Sequence, residues 1–198
     1  MSCKDLPASY VLTKVVDLQG DKKAALWVNL GAVGIAAVMV LAAVFFIPFS
    51  RFVSFSSPTA KDALRLFLLV PAIAVYVVTH ELIHGLFFRR YGKEKPKYGF
   101  SGLYFYAGSE VFFDRRSYLV IALAPVVIWF AVLLVLDAAL PNRLFWFFYI
   151  LQIVNISGAA GDFYIAYLTR SMPADVLIRD WGYKMEFYLR AEKVKKQK

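Results

Sequence analysis

Cysteine is almost absent from this chain, with one thiol, Cys3, in 198 residues. A single cysteine excludes an internal disulfide framework and any cluster of thiolate metal ligands. Histidine is nearly as scarce, at two residues, and charged residues make up only 19%. Soluble domains average about 45–50% apolar residues, whereas 60% of this chain is hydrophobic. The opening 23 residues mix charged and apolar side chains, which does not match the basic-then-apolar pattern of a secretory signal. Internal repeats are absent too, which argues against a transporter built from duplicated halves.

What is present is a set of long apolar blocks. Crossing the hydrocarbon of a bilayer takes roughly 20 apolar residues in a helix, and four blocks meet that length: 24–49, 63–88, 118–140 and 144–168. The second contains Pro71, the third Pro125, and the fourth Asn155 and Asp162. The expected fold is an all-α polytopic membrane protein with four transmembrane helices in one membrane-embedded domain, 1–198. Between helices two and three, the segment 98–113 carries two aromatic-rich runs around a turn-like Ala107–Glu110. It reads as a short hairpin or re-entrant segment, with an aromatic interfacial anchor as the other reading.

The net charge of +9 is unevenly placed. Four Lys or Arg precede the first block, seven lie in 89–117 and eight follow residue 168, against three in the other two connections. Positive residues accumulate on the cytoplasmic side of membrane helices, so the tails 1–23 and 169–198 and the 89–117 segment are expected in the cytoplasm. The expected partner of this charge is anionic lipid headgroups rather than nucleic acid. The last stretch, YKMEFYLRAEKVKKQK, reads as a segment lying on lipid with a frayed end.

Both histidines fall in one segment, YVVTHELIHGLFF, with Glu81 directly after the first. Residues i and i+4 of a helix are about 40° apart, so His80 and His84 project from one face. Two imidazoles on successive turns grip one tetrahedral metal and leave the intervening glutamate to handle a proton, the HExxH arrangement of zinc hydrolases. An interhelical hydrogen-bond cluster is the bland alternative, but such glue is usually Ser, Thr or Asn.

A catalytic zinc uses three protein ligands and one open position. With histidine exhausted, Asp162 is the acid placed well inside another block. At about 1.5 Å per residue, it lies at the same depth below the cytoplasmic edge as His80 and His84. Asp137, Glu110 and Asp114 are weaker candidates. Upstream of Asp162 runs NISGAAGD, whose small residues allow either close helix packing or a local break in the span. Asn155, seven residues before Asp162, is a candidate catalytic residue that orients substrate or stabilises an oxyanion; a plain interhelical hydrogen bond is its other role.

With HELIHG in one span and Asn155 and Asp162 in a later one, the sequence resembles site-2-protease-type intramembrane zinc metalloproteases. It is more closely similar to a family of small prokaryotic membrane proteins named for zincin peptidases, through His80–Glu81–His84, the YLVIALAP span with Pro125, NISGAAGD, and ADVLIRDWG with Asp180. The resemblance implies zinc held by His80, His84 and Asp162, a catalytic Glu81, and a membrane protein or peptide as substrate. The chain departs from the site-2-protease pattern, in which proline follows the asparagine and glycine the aspartate; here Ile156 and Phe163 stand there. The expected reaction is peptide-bond hydrolysis near the cytoplasmic side, by zinc-activated water with Glu81 as general base. A non-catalytic zinc-binding scaffold or regulator and a two-His-one-carboxylate iron enzyme are the alternatives.

Overall fold

A computed structural model describes residues 2–54, 57, 59–100 and 105–195. In chain order the elements are β1 (Ser2–Cys3), β2 (Tyr10–Asp17), α1 (Lys22–Phe46), α2 (Ala60–Gly92), β3 (Lys97–Phe100), β4 (Phe105–Asp114), α3 (Arg115–Ala139), α4 (Phe145–Gly158), α5 (Ala160–Ser171), β5 (Leu177–Asp180), β6 (Lys184–Arg190) and α6 (Ala191–Lys195).

The three long helices begin at side chains that satisfy their first backbone N–H groups. Asp21 Oδ1 accepts from the N–H of Lys23 and of Ala24, both at 3.0 Å, at the start of α1. Before α2, Thr59 and Asp62 bond reciprocally: the Thr59 N–H donates to Asp62 Oδ2 at 3.0 Å and the Asp62 N–H to Thr59 Oγ1 at 3.3 Å. Such a capping box fixes where the helix starts. Asp114 accepts from the N–H of Arg116 at 2.9 Å and of Ser117 at 3.1 Å at the head of α3.

Among the described residues α1, α2 and α3 are long and apolar enough to cross a membrane. The 3-10 turn Asn142–Leu144 with α4, and α5 after it, make a fourth if the pair, bent by 40°, is one span. The fourth block is therefore two helices. Its break follows Ser157 and Gly158: Ser157 Oγ donates back to the Ile153 carbonyl at 2.7 Å, a bond that bends helices, and the Ala159 N–H turns to the Ser157 carbonyl.

The all-α expectation is overturned by a six-stranded antiparallel sheet in the order β1-β4-β5-β6-β2, with β3 paired to β4. Every strand comes from a segment whose basic residues read as a tail or a connection. The final stretch, expected on lipid, instead forms β6, whose Met185, Glu186, Phe187, Tyr188 and Leu189 are all buried. The 89–117 segment does hold an antiparallel strand pair, β3 and β4, with Phe100 opposite Phe105, but in another register than the expected hairpin. Residues 101–104 lie outside the described residues, and Ala107–Glu110, expected as the turn, sits within β4 instead. Gly108 is there for close approach: a Cβ would fall 2.6 Å from the Trp181 backbone.

The chain divides into two compact units, Met1–Trp27 with Glu81–Pro125 and Gly161–Lys198, and Val28–His80 with Val126–Ala160. In the first, Phe88, Phe113, Tyr118, Ile121, Ile165, Ile178 and Phe187 form a core between the sheet and its helices. In the second, Ala43, Phe52, Val53 and Trp146 form a small cluster, while Phe45, Phe46, Phe67 and Val70 are 70–86% exposed. Large apolar side chains turned outward along apolar helices are the surface of a membrane protein.

The sheet carries a charged cluster around the buried Glu186. Arg179 of β5 stands opposite Glu186 of β6, donating to its Oε2 from Nε at 3.0 Å and Nη2 at 2.7 Å, with the guanidinium 4.7 Å from the Trp181 ring centre. Burial alone would raise the Glu186 carboxyl, but hydrogen bonds from Lys184, Arg179 and Tyr188 outweigh it and bring it from 4.5 down to about 2. A depressed carboxylate stabilises the folded state above its unfolded value and loses that contribution as pH falls through the folded one. Melting temperature is therefore expected to drop between about pH 4.5 and about 2. Glu186→Gln should flatten that decline and lower stability near neutral pH by roughly 1–2 kcal/mol, the full shift being reduced by water at Arg179 and Lys184.

Candidate metal centre

Helix α2 carries His80 and His84 one turn apart, and both are buried, 8% and 9% exposed. The bend at Ala159 puts Asp162 in the first turn of α5, where a carboxylate is favoured by the helix dipole. Ligand atoms of His80, His84 and Asp162 all lie within 4.8 Å of one another, and His84 Nε2 is 3.5 Å from Asp162 Oδ1. Bonds of about 2.0–2.1 Å in tetrahedral geometry put neighbouring ligand atoms roughly 3.3–3.5 Å apart. The His84–Asp162 spacing already matches, and two imidazoles with one carboxylate form a donor set zinc accepts. These residues fit a zinc ion.

The ring orientations are set from behind. His84 Nδ1 lies 3.0 Å from the Ile121 carbonyl oxygen; a carbonyl only accepts, so Nδ1 carries a proton, which leaves Nε2, the atom facing Asp162, as the ligand nitrogen. His80 Nδ1 lies 3.0 Å from the Tyr76 hydroxyl. That hydroxyl donates its one proton to Asn155 Oδ1 at 3.2 Å, so it accepts from His80 Nδ1–H, again leaving Nε2 as the ligand nitrogen. Asn155 is fully buried, and its Nδ2 donates to the Val126 carbonyl at 3.2 Å and to Gln152 Oε1 at 3.4 Å. The structure thus brings Asn155 to Tyr76, and through Tyr76 to His80.

Glu81 Oε2 accepts the Ala107 N–H of β4 at 2.8 Å. The strand thereby holds the carboxylate of the residue that follows His80 in the motif. Gly85, the residue after His84, lets β3 lie close to α2, since any Cβ there would collide with the Tyr98 hydroxyl.

Of the weaker candidates, Asp114 caps α3 and Glu110 pairs with Lys97. Neither belongs to the described cluster, nor does Asp137. Sequence reasoning missed Tyr76 and Tyr118. Tyr118, fully buried at the start of α3, donates to Asp180 Oδ2 at 2.5 Å, while the Gly182 N–H donates to Asp180 Oδ1 at 2.7 Å. Burial pushes the Asp180 carboxyl up to about 6 against the pull of those two bonds and of His84. Tyr76 stands one turn before His80, a spacing that could have marked it.

No curated protein and no solved structure matches this chain. A family model matches residues 72–177, from about two turns before His80 to the start of β5, and so spans Glu81, both imidazoles, Pro125, Asn155 and Asp162. The chain therefore belongs to the family described as "Putative zincin peptidase", a class of zinc metallopeptidases.

Proposed function

We propose that this protein is an intramembrane metallopeptidase of site-2-protease type that hydrolyses peptide bonds of membrane proteins or peptides near the cytoplasmic side of the bilayer. The observation that carries this is the meeting of His80, His84 and Asp162 beside a glutamate whose carboxylate a strand N–H holds.

His80, His84 and Asp162 would hold the zinc, which when bound supplies a Lewis acid for the scissile carbonyl and for water. Glu81 takes a proton from the attacking water and delivers it to the leaving amine nitrogen. The Ala107 N–H, donating to Oε2, limits the carboxylate's rotation so that the same group serves both transfers. Tyr76 and Asn155 keep His80 in one tautomer, which makes Asn155 a positioning residue on this reading. Substrate arrives extended. Strand β3 pairs with β4 on one side, and its other side pairs with no described strand, so a peptide added there would extend the sheet beyond β3, one strand out from β4, which holds Glu81.

The cytoplasmic placement draws its support from charge. The N-terminal tail, the 89–117 connection and the C-terminal tail hold 19 of the 23 Lys and Arg, and all three contribute strands to one sheet. The test is cleavage of membrane-anchored peptides by purified chain in lipid vesicles, read by mass spectrometry of the new termini. Cleavage is expected to stop on chelation and to return with equimolar zinc. Zinc-loaded, folded protein that cuts no peptide of a broad set, or cutting that survives chelation, would sink the proposal.

A further inference from the structure

Helix α3 contains a proline ten residues from its start, buried rather than turned outward. In an α-helix the carbonyl of residue i accepts from the N–H of residue i+4. For Ile121 that partner is residue 125, and residue 125 is proline, which has no N–H and whose ring pushes the carbonyl four residues back off the helix line. The Ile121 carbonyl is the group that His84 Nδ1 approaches at 3.0 Å. Ile121 is 1% exposed, so water does not offer that carbonyl an easy substitute, and a buried carbonyl without a donor costs about 1–3 kcal/mol.

Pro71 of α2 shows the contrast. Its place is exposed, and the carbonyl it orphans belongs to Phe67, itself 70% exposed. Among the described residues two prolines interrupt long apolar helices; the one at 125 has its orphaned carbonyl 3.0 Å from Nδ1 of His84.

We propose that Pro125 is a positioning residue for His84: by withholding an N–H from Ile121, it leaves that carbonyl to hold Nδ1–H and turns Nε2 toward Asp162. The inference rests on the zinc reading of the site for its consequence, though not for the coupling itself. Substituting alanine gives position 125 an N–H that competes for the same carbonyl and draws it back into the helix ladder. His84 then loses the acceptor that selects its tautomer and fixes its ring. Loss of such a partner behind a ligand histidine typically weakens metal binding 10–100-fold.

The chain's two histidines make the test clean. Imidazole-¹⁵N spectra of the metal-free protein at alkaline pH, with His84 assigned by comparison with His80→Gln, should show His84 as the Nδ1–H tautomer. Pro125→Ala should move it to a mixture with Nε2–H and raise the zinc dissociation constant ~10–100-fold in chelator competition. Pro71→Ala should match wild type in both. An unchanged His84 pattern and zinc affinity in Pro125→Ala would overturn the proposal. So would an Nε2–H tautomer of His84 in the wild type, a result that does not depend on the variant folding. A wild type that binds no zinc, with the tautomer still shifting in Pro125→Ala, would remove the metal reading and uphold the coupling of Pro125 to His84.

Discussion

Asp162→Ala is expected to lower zinc affinity by more than ~100-fold, beyond the 10–100-fold typical when only a supporting partner is lost. The two imidazoles of α2 would remain, four residues apart on one rigid helix, but two nitrogens do not complete a three-ligand zinc site. The carboxylate has a second role in neutralising the ion in an apolar setting, where an uncompensated charge is costly. His80→Ala should behave alike, because both groups share the cluster. Asp137→Ala, which removes an acid of α3 outside it, should leave zinc binding at the wild-type level. Elemental analysis with chelator competition decides the matter. About one zinc per chain, retained in Asp162→Ala, would mean that a different group closes the site. Iron in its place would favour the iron-enzyme alternative, whose ligand set is also two histidines and a carboxylate.

The centre was more legible in the sequence than the scaffold around it. His80 and His84 meet because they are four apart on one helix, a local relation that spacing alone conveys. Asp162, 78 residues beyond His84, was reachable because so few acids lie deep in an apolar block and because its depth agreed with theirs. NISGAAGD allowed either close packing or a broken span, and the bend at Ala159 is the second. The sheet was not legible because its pairings are remote: β2 lies against β6 and β1 against β4, joining residues more than a hundred positions apart. β6 also lacks the alternation of a half-exposed strand. Glu186 and Tyr188 are buried on the face that should have been polar, covered by Arg179 from β5, and nothing local to KMEFYLR reports that partner. A basic, aromatic segment beside apolar spans therefore reads as lipid-bound until its neighbours are known. The orientation of the ligand rings was hidden for the same reason. Pro125 was visible as an interruption of α3, but the carbonyl it orphans acquires meaning only beside His84.

Glu81→Gln is expected to reduce peptide hydrolysis by ~10²–10⁴-fold, the usual worth of a positioned general acid–base group, while zinc content stays at the wild-type level. Glutamine is nearly isosteric and keeps an oxygen that can accept the Ala107 N–H, so the link between α2 and β4 survives. What it loses is the ability to take up a proton at neutral pH. Glu81→Ala removes the acceptor as well, leaving the Ala107 N–H unpaired in a place where the residue is 5% exposed, and should cost stability in addition to activity. The contrast between the two separates proton transfer from architecture: equal loss of hydrolysis with unequal loss of melting temperature is the signature of a general base that also anchors a strand. Zinc-loaded Glu81→Gln that cleaves at the wild-type rate would instead assign the proton to another group. If the wild type holds zinc without cleaving, and Glu81→Gln changes nothing, the metal serves the fold, and the scaffold reading replaces the peptidase.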